Sequence, residues 1–165
     1  MKKRYFIALF SIIILSIFAI QSCQDDDICI DAITPRMIIS FRDKTTNAEL
    51  KMDSVNVYRL NTSTNNWERI YFSALKSTIE INLNVNDETS TQLRVSQFYQ
   101  NSTSIYDNVS VSYENSDEFL SKACGFKRVY KNVSILLNTN TLFSNSEQNT
   151  TEISDESQTH LYLYK

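Results

Sequence analysis

Glycine and proline each occur once, at Gly125 and Pro35, and histidine once, at His160. A single glycine excludes the phosphate-binding loop, the dinucleotide fingerprint and the G-x-S-x-G elbow, because each needs several glycines for sharp turns or close backbone approach. A single histidine leaves a histidine-rich zinc site or a histidine-bridged metal pair without its ligands, so no residue is assigned to a metal. His160 could formally complete a Ser-His-Asp triad. No nucleophile motif accompanies it, however, and it reads as an ordinary surface or hydrogen-bonded side chain. Nothing in the spacing of the 19 acidic residues singles out the facing carboxylate pair that glycoside hydrolysis requires. No catalytic residue and no cofactor are therefore assigned. With glycine and proline so scarce, turns fall to Asn, Ser and Thr, whose side chains hydrogen-bond their own backbone.

Long apolar runs are also scarce, and the one present is informative. Lys2-Lys3-Arg4 precedes an uncharged apolar stretch from Tyr5 to Ile20, in which Ser11 and Ser16 are the two polar residues, followed by Gln21-Ser22-Cys23. A basic start, a short hydrophobic core and a small residue before the cut are what the secretion machinery reads. A membrane-spanning helix needs roughly 20 apolar residues, and this stretch falls short. Residues 1–22 are expected to be a signal peptide. A cysteine at the first mature position resembles the bacterial lipoprotein signal, which implies acylation of Cys23, palmitate included. One acyl chain binds a membrane marginally whereas two or more hold stably, so the mature protein would remain membrane-anchored. Asp25-Asp26-Asp27 resembles the acidic surface-export signal of Bacteroidota lipoproteins, or is a solvated tether of mutually repelling charges. Either way residues 23–34 form a lipidated acidic tether. The expected location is the outer membrane, lipid-anchored, facing the periplasm or the cell surface.

From Cys23 to Lys165 the mature chain has 143 residues, a length at which one compact domain is the default. Removing the signal takes away three of the 16 basic residues and none of the 19 acidic ones, leaving a net charge of −6. Such a surface repels polyanions, and nucleic acid is not expected as a partner. Cys29 and Cys124 form an even remainder in an oxidising compartment. They are read as a disulfide, or as two separate buried thiols. A bridge would close a ring whose chain-entropy value is about 4–5 kcal/mol.

From Pro35 onward the apolar period is two. In Thr78-Ile79-Glu80-Ile81-Asn82-Leu83-Asn84-Val85 every odd residue is aliphatic and every even one polar, the mark of a strand with one buried and one wet face. The same alternation recurs in Met37 to Phe41, Val55 to Tyr58, Leu93 to Val95, Val109 to Tyr113, Val133 to Leu137 and Leu161 to Tyr164, with a shorter run from Glu68 to Phe72. With at most a helical turn near Ser116 to Ala123, the expectation is an all-β fold: a single antiparallel β-sandwich of about 7–8 strands over residues 35–165. Asn61 to Asn66 reads as a hairpin link. Ser144 to Ser157 carries four acidic residues and no basic one and reads as an exposed, mobile loop.

Cys23, Asp25 to Cys29, Thr34-Pro35 leading into Met37 to Asp43, Ser121-Lys122-Ala123-Cys124-Gly125-Phe126 and the closing His160 to Tyr164 together resemble a family of small Bacteroidota lipoproteins, a domain of unknown function. The resemblance spans the mature chain; its most specific element is Ala123-Cys124-Gly125-Phe126 paired with the early Cys29. It implies a lipoprotein and a fold but no activity. It supports the pairing of Cys29 with Cys124 and gives Gly125 a reason, a turn with positive φ or a tight approach. Asp53-Ser54-Val55 resembles the short O-glycosylation motif of Bacteroidota envelope proteins, which implies Ser54 as acceptor. Tyr58, Trp67, Tyr71 and Tyr99 could stack on sugars or sit half-buried in a sheet, and are not assigned to a site. The functional expectation is a non-catalytic, lipid-anchored envelope module, for binding or structure, in an envelope protein complex. A carbohydrate-recognition module is the alternative, and a carboxylate-dependent glycoside hydrolase a more distant one. The small-molecule ligand is unspecified.

Overall fold

The computed structural model describes residues 34–84, 88–98, 104–122 and 124–165. The signal segment, Cys23, Asp25 to Asp27, Cys29, Val85, Tyr99 and Ala123 lie outside them. Among the described residues there is no helix. The strands are β1 (Met37–Arg42), β2 (Val55–Asn61), β3 (Asn66–Ser73), β4 (Thr78–Ile81), β5 (Ser90–Phe98), β6 (Ser104–Ser121), β7 (Gly125–Leu137), β8 (Asn145–Gln148) and β9 (Leu161–Tyr164). They form a four-stranded sheet in the order β4-β1-β9-β8 and a five-stranded sheet in the order β3-β2-β5-β6-β7.

The period-two residues meet between the sheets. Met37, Ile39, Phe41, Ile79, Ile81, Leu161 and Leu163 from one sheet face Val55, Val57, Leu93, Val95, Val109, Val111, Val133 and Ile135 from the other, in one cluster. Each fully buried aliphatic side chain is worth about 1.5–3 kcal/mol, so the core is the main stabilising term. The expected alternation at Ile79, Ile81 and Leu83 is present, each of the three only 1% exposed.

Four features depart from the sequence expectation. The described residues form nine strands, and β1 pairs in parallel with β9, Ile39 opposite Leu161; alternation reports which face is buried but not strand direction. Residues Ser116 to Ser121 are not a helical turn but the outer half of β6, paired with β7 from Asp117↔Arg128 to Ser121↔Gly125. Ser144 to Ser157 is not a free loop. It contains the edge strand β8 and the fully buried Ile153, which bridges to Tyr130. Gln148 fastens β8 across to β7, accepting the Ile135 N–H at 2.9 Å and donating to the Val133 carbonyl at 2.7 Å.

A bulge lies where β6 and β7 leave the sheet as a two-stranded ribbon. Between the pairs Ser112↔Ser134 and Glu114↔Lys131 the register shifts, with Asn132 in the left-handed region at φ 51; such an inserted residue bends the strand and increases its twist. At the ribbon's turn Gly125 has φ 70, and a side chain there would meet nothing within 4 Å. Of the two reasons expected for this glycine, backbone conformation is the operative one.

Candidate functional site

The face of the five-stranded sheet turned away from the core carries a run of aromatic and cationic side chains. Register places Phe72, Asn56, Ser96 and Tyr106 in one cross-strand row and Arg69, Tyr58, Arg94 and Asn108 in the next. At strand spacings of about 4.8 Å these rows span roughly 14 Å. The Arg94 guanidinium lies 4.2 Å from the ring centroid of Trp67 and 4.2 Å from that of Tyr106, and its Nε donates to Asn108 Oδ1 at 3.1 Å. Arg69 lies 5.9 Å from the Phe72 ring. Phe72 is 61% exposed, Tyr106 40% and, farther across the face, Leu136 62%. A delocalised cation held between two rings is rigid and weakly hydrated, which lowers the cost of covering it.

Beneath this surface lies an unusual amide. Asn56 sits between the core residues Val55 and Val57, is fully buried, and has no hydrogen-bond partner at either side-chain polar atom. An unsatisfied buried polar group costs about 1–3 kcal/mol. Sequence reasoning named Tyr58 and Trp67 but missed Arg94, Tyr106 and Asn56; alternation in β5 and β6 puts Arg94 and Tyr106 on the outward parity, the signal that could have found them.

His160 is buried rather than on the surface. Its ring Nδ1 accepts the Ile38 N–H at 2.8 Å, and the His160 backbone N–H donates to the Ile38 carbonyl at 2.9 Å, so side chain and backbone together join the approach to β9 onto β1. Burial pushes its pKa below the usual histidine value, against an opposing pull from Asp155. Asp107 is the other buried polar anchor. Fully buried on β6, it accepts the N–H groups of Thr141, Leu142 and Phe143 at 2.7, 2.8 and 2.7 Å. This fixes the loop that seats Phe143 on Phe41, ring centroids 5.7 Å apart and nearly parallel.

Two carboxylates line a recess of about 140 Å³ with Arg59. Glu68 accepts from Asn61 Nδ2 at 2.8 Å, and Glu88 accepts from Thr62 Oγ1 at 2.7 Å and from Asn84 Nδ2. These contacts fasten neighbouring loops. Among the described residues no group of three or more His, Cys, Asp or Glu side chains is placed to hold a metal ion. Cys124 stands in the β6–β7 turn, its N–H donating to Ser121 Oγ at 3.0 Å; Cys29 and Cys23 lie outside the described residues. The Ser54 hydroxyl is engaged with the end of β5, accepting the Phe98 N–H at 3.2 Å. Tyr71 packs against the core, while Tyr58 and Trp67 are half-buried.

A family model described as Family of unknown function (DUF6452) matches residues 54–165. No curated protein and no solved structure matches the chain.

Proposed function

We propose that this chain, which belongs to the family of unknown function DUF6452, is a lipid-anchored envelope protein whose five-stranded sheet presents its outer face to a partner protein. The observation that carries this reading is Arg94 clamped between Trp67 and Tyr106 on a face that also exposes Phe72 and Leu136. Trp, Tyr and Arg are the residues enriched where protein interfaces concentrate their energy. A sugar-binding platform would offer free ring faces; here Arg94 occupies one face of each of the two best-placed rings, which favours a protein partner over a carbohydrate.

The module is non-catalytic in this reading. The two acids of the small recess, Glu68 and Glu88, are held by Asn61 and Thr62, and a net charge of −6 for the mature chain disfavours nucleic acid. Cleavage of residues 1–22 leaves Cys23 acylated, and Asp25 to Asp27 route the protein to the outer membrane, facing the periplasm or the cell surface. Cys29 and Cys124 form a disulfide. Support comes from the leader pattern and from the pair of cysteines, Cys29 and Cys124, that remains once Cys23 is set aside for the lipid.

Two experiments test the reading. A palmitate analogue should label the wild-type chain and fail to label Cys23→Ser; equal labelling, or a mature mass that still contains the leader, refutes the anchor. The intact acylated protein, captured from its own membrane, should bring down a partner that is depleted at least tenfold with Arg94→Glu; an unchanged yield refutes the docking face. For the disulfide, a non-reduced mature mass two hydrogens below the thiol form is expected, and the full thiol mass refutes it.

A further inference from the structure

The structure points to a second contact, with the lipid surface itself. Beyond Tyr130, among the described residues, β6 and β7 pair only with each other. At the end of this ribbon Phe119 and Phe126 stand opposite each other, ring centroids 5.5 Å apart in an edge-to-face pair, 61% and 62% exposed. Lys122 and Lys127 flank them; residues 119–127 include no acid, and the nearest, Glu118, stands opposite Lys127 in the register. Glu118 is taken up by Lys131 at 3.3 Å and Asp117 by Arg128 at 3.0 Å, so the acids at the ribbon's outer end are ion-paired and Lys122 adds positive charge to the turn. The tip thus combines bare aromatic surface with positive charge, the combination that partitions into an anionic headgroup layer.

The direction in which the ribbon points selects this occupant. At its base Tyr113 and Tyr130 both donate to the Asn84 carbonyl, at 3.4 and 3.5 Å. Asn84 follows β4, whose Ile81 pairs with Met37, the first residue of β1. The chain therefore enters the domain at the end from which the ribbon projects. Arg36, just before β1, is held by Glu156 at 2.8 Å, and Ile153 of the same segment bridges to Tyr130. Cys23 precedes Thr34 by 11 residues, which extended reach at most about 40 Å. From Tyr113 to Ser121 the ribbon runs roughly 27 Å at about 3.4 Å per residue. A spur shorter than the tether, leaving from the same end, reaches the surface to which the tether is fixed.

We infer that the Phe119/Phe126 tip, with Lys122 and Lys127, seats in the headgroup layer of the membrane that holds the protein's own acyl anchor. It would thereby set how the docking face stands relative to the bilayer. This rests on the proposed acylation of Cys23, and a bond from Cys29 to Cys124 would tie the tether to the same turn.

The test uses the full acylated protein in vesicles of phosphatidylethanolamine and phosphatidylglycerol. Trp67→Phe removes the one native tryptophan, and Phe126→Trp or Phe119→Trp adds a reporter at the tip, with Phe72→Trp as the comparison on the sheet face. Lipids brominated near the headgroup should at least halve tip emission and leave position 72 unaffected. Protein that co-floats with the vesicles yet shows unquenched emission at both 119 and 126 overturns the inference alone. Protein that does not co-float overturns the anchor reading and the inference with it. Tip emission that responds to protein density but not to bromine identifies a second copy as the occupant and also overturns it.

Discussion

Replacing Asp107 with alanine should be the most damaging single polar substitution in the domain, and its cost can be worked from the geometry. The carboxylate is fully buried and accepts three consecutive backbone N–H groups within 2.8 Å. Each buried donor left without an acceptor costs about 1–3 kcal/mol. The three costs will not add fully, because the 141–143 backbone can shift toward water, so the expected loss is about 3–5 kcal/mol. That is a large part of the 5–15 kcal/mol typical of a whole domain. Asp107→Asn should cost less, about 2–3 kcal/mol, since it keeps one acceptor but turns an NH₂ toward an N–H. Urea denaturation of the mature protein followed by circular dichroism reads these losses as midpoint shifts, about 2 M for the alanine variant at a slope near 2 kcal/mol/M. If Asp107→Ala loses under 1 kcal/mol, the loop is held by Phe143 packing on Phe41 rather than by the carboxylate, and the reasoning is refuted.

His160 supplies a pH signature. Its pKa is lowered from 6.5 by burial, so between the lowered value and 6.5 the unfolded chain binds the extra proton. Stability is then complete above pH 6.5 and falls as the pH drops below it. His160→Asn, which can still accept the Ile38 N–H, should flatten melting temperature against pH just below pH 6.5; an unchanged slope would show that another group titrates there. Glu156, lowered by Arg36, and Asp155, lowered by Ser157, contribute only at more acidic pH, their stabilisation being lost as the pH falls. Asn56→Leu, which replaces an unpaired buried amide with an apolar side chain of similar shape, should leave stability unchanged or raise it by about 1–2 kcal/mol. That corresponds to several degrees of melting temperature; a fall of similar size would reveal an amide contact that matters to the fold.

Much of the sandwich was legible because its core strands are half wet. Ile79, Ile81 and Leu83 announce their face by alternation, and the β2–β3 hairpin is marked by Asn61 to Asn66, with Asn65 in the left-handed region at φ 55. The edge strand β8 was not legible: Asn145, Ser146, Glu147 and Gln148 contain no apolar residue, and the strand is held by Gln148 and by the Tyr164 hydroxyl donating to Glu147 at 2.5 Å. The ribbon escaped for a related reason. Among Ser116 to Ser121 and Gly125 to Arg128 no residue is fully buried, so the sequence carries no alternation of core aliphatic residues there. Asp107 was within reach, since Ile105, Asp107, Val109 and Val111 share one parity, and a carboxylate at an inward position signals a buried anchor. The Arg94 clamp required the register between β3, β5 and β6, which no single strand encodes.

The central claim is that the outer face of the five-stranded sheet meets a partner protein at the membrane. A photo-crosslinking amino acid placed at Tyr106, and separately at Tyr162 on the outer face of the other sheet, tests this in intact cells. A discrete adduct at position 106 that is absent at position 162, and lost when Arg94→Glu is added, is the expected result. No adduct at 106, or the same adducts at both positions, would contradict it.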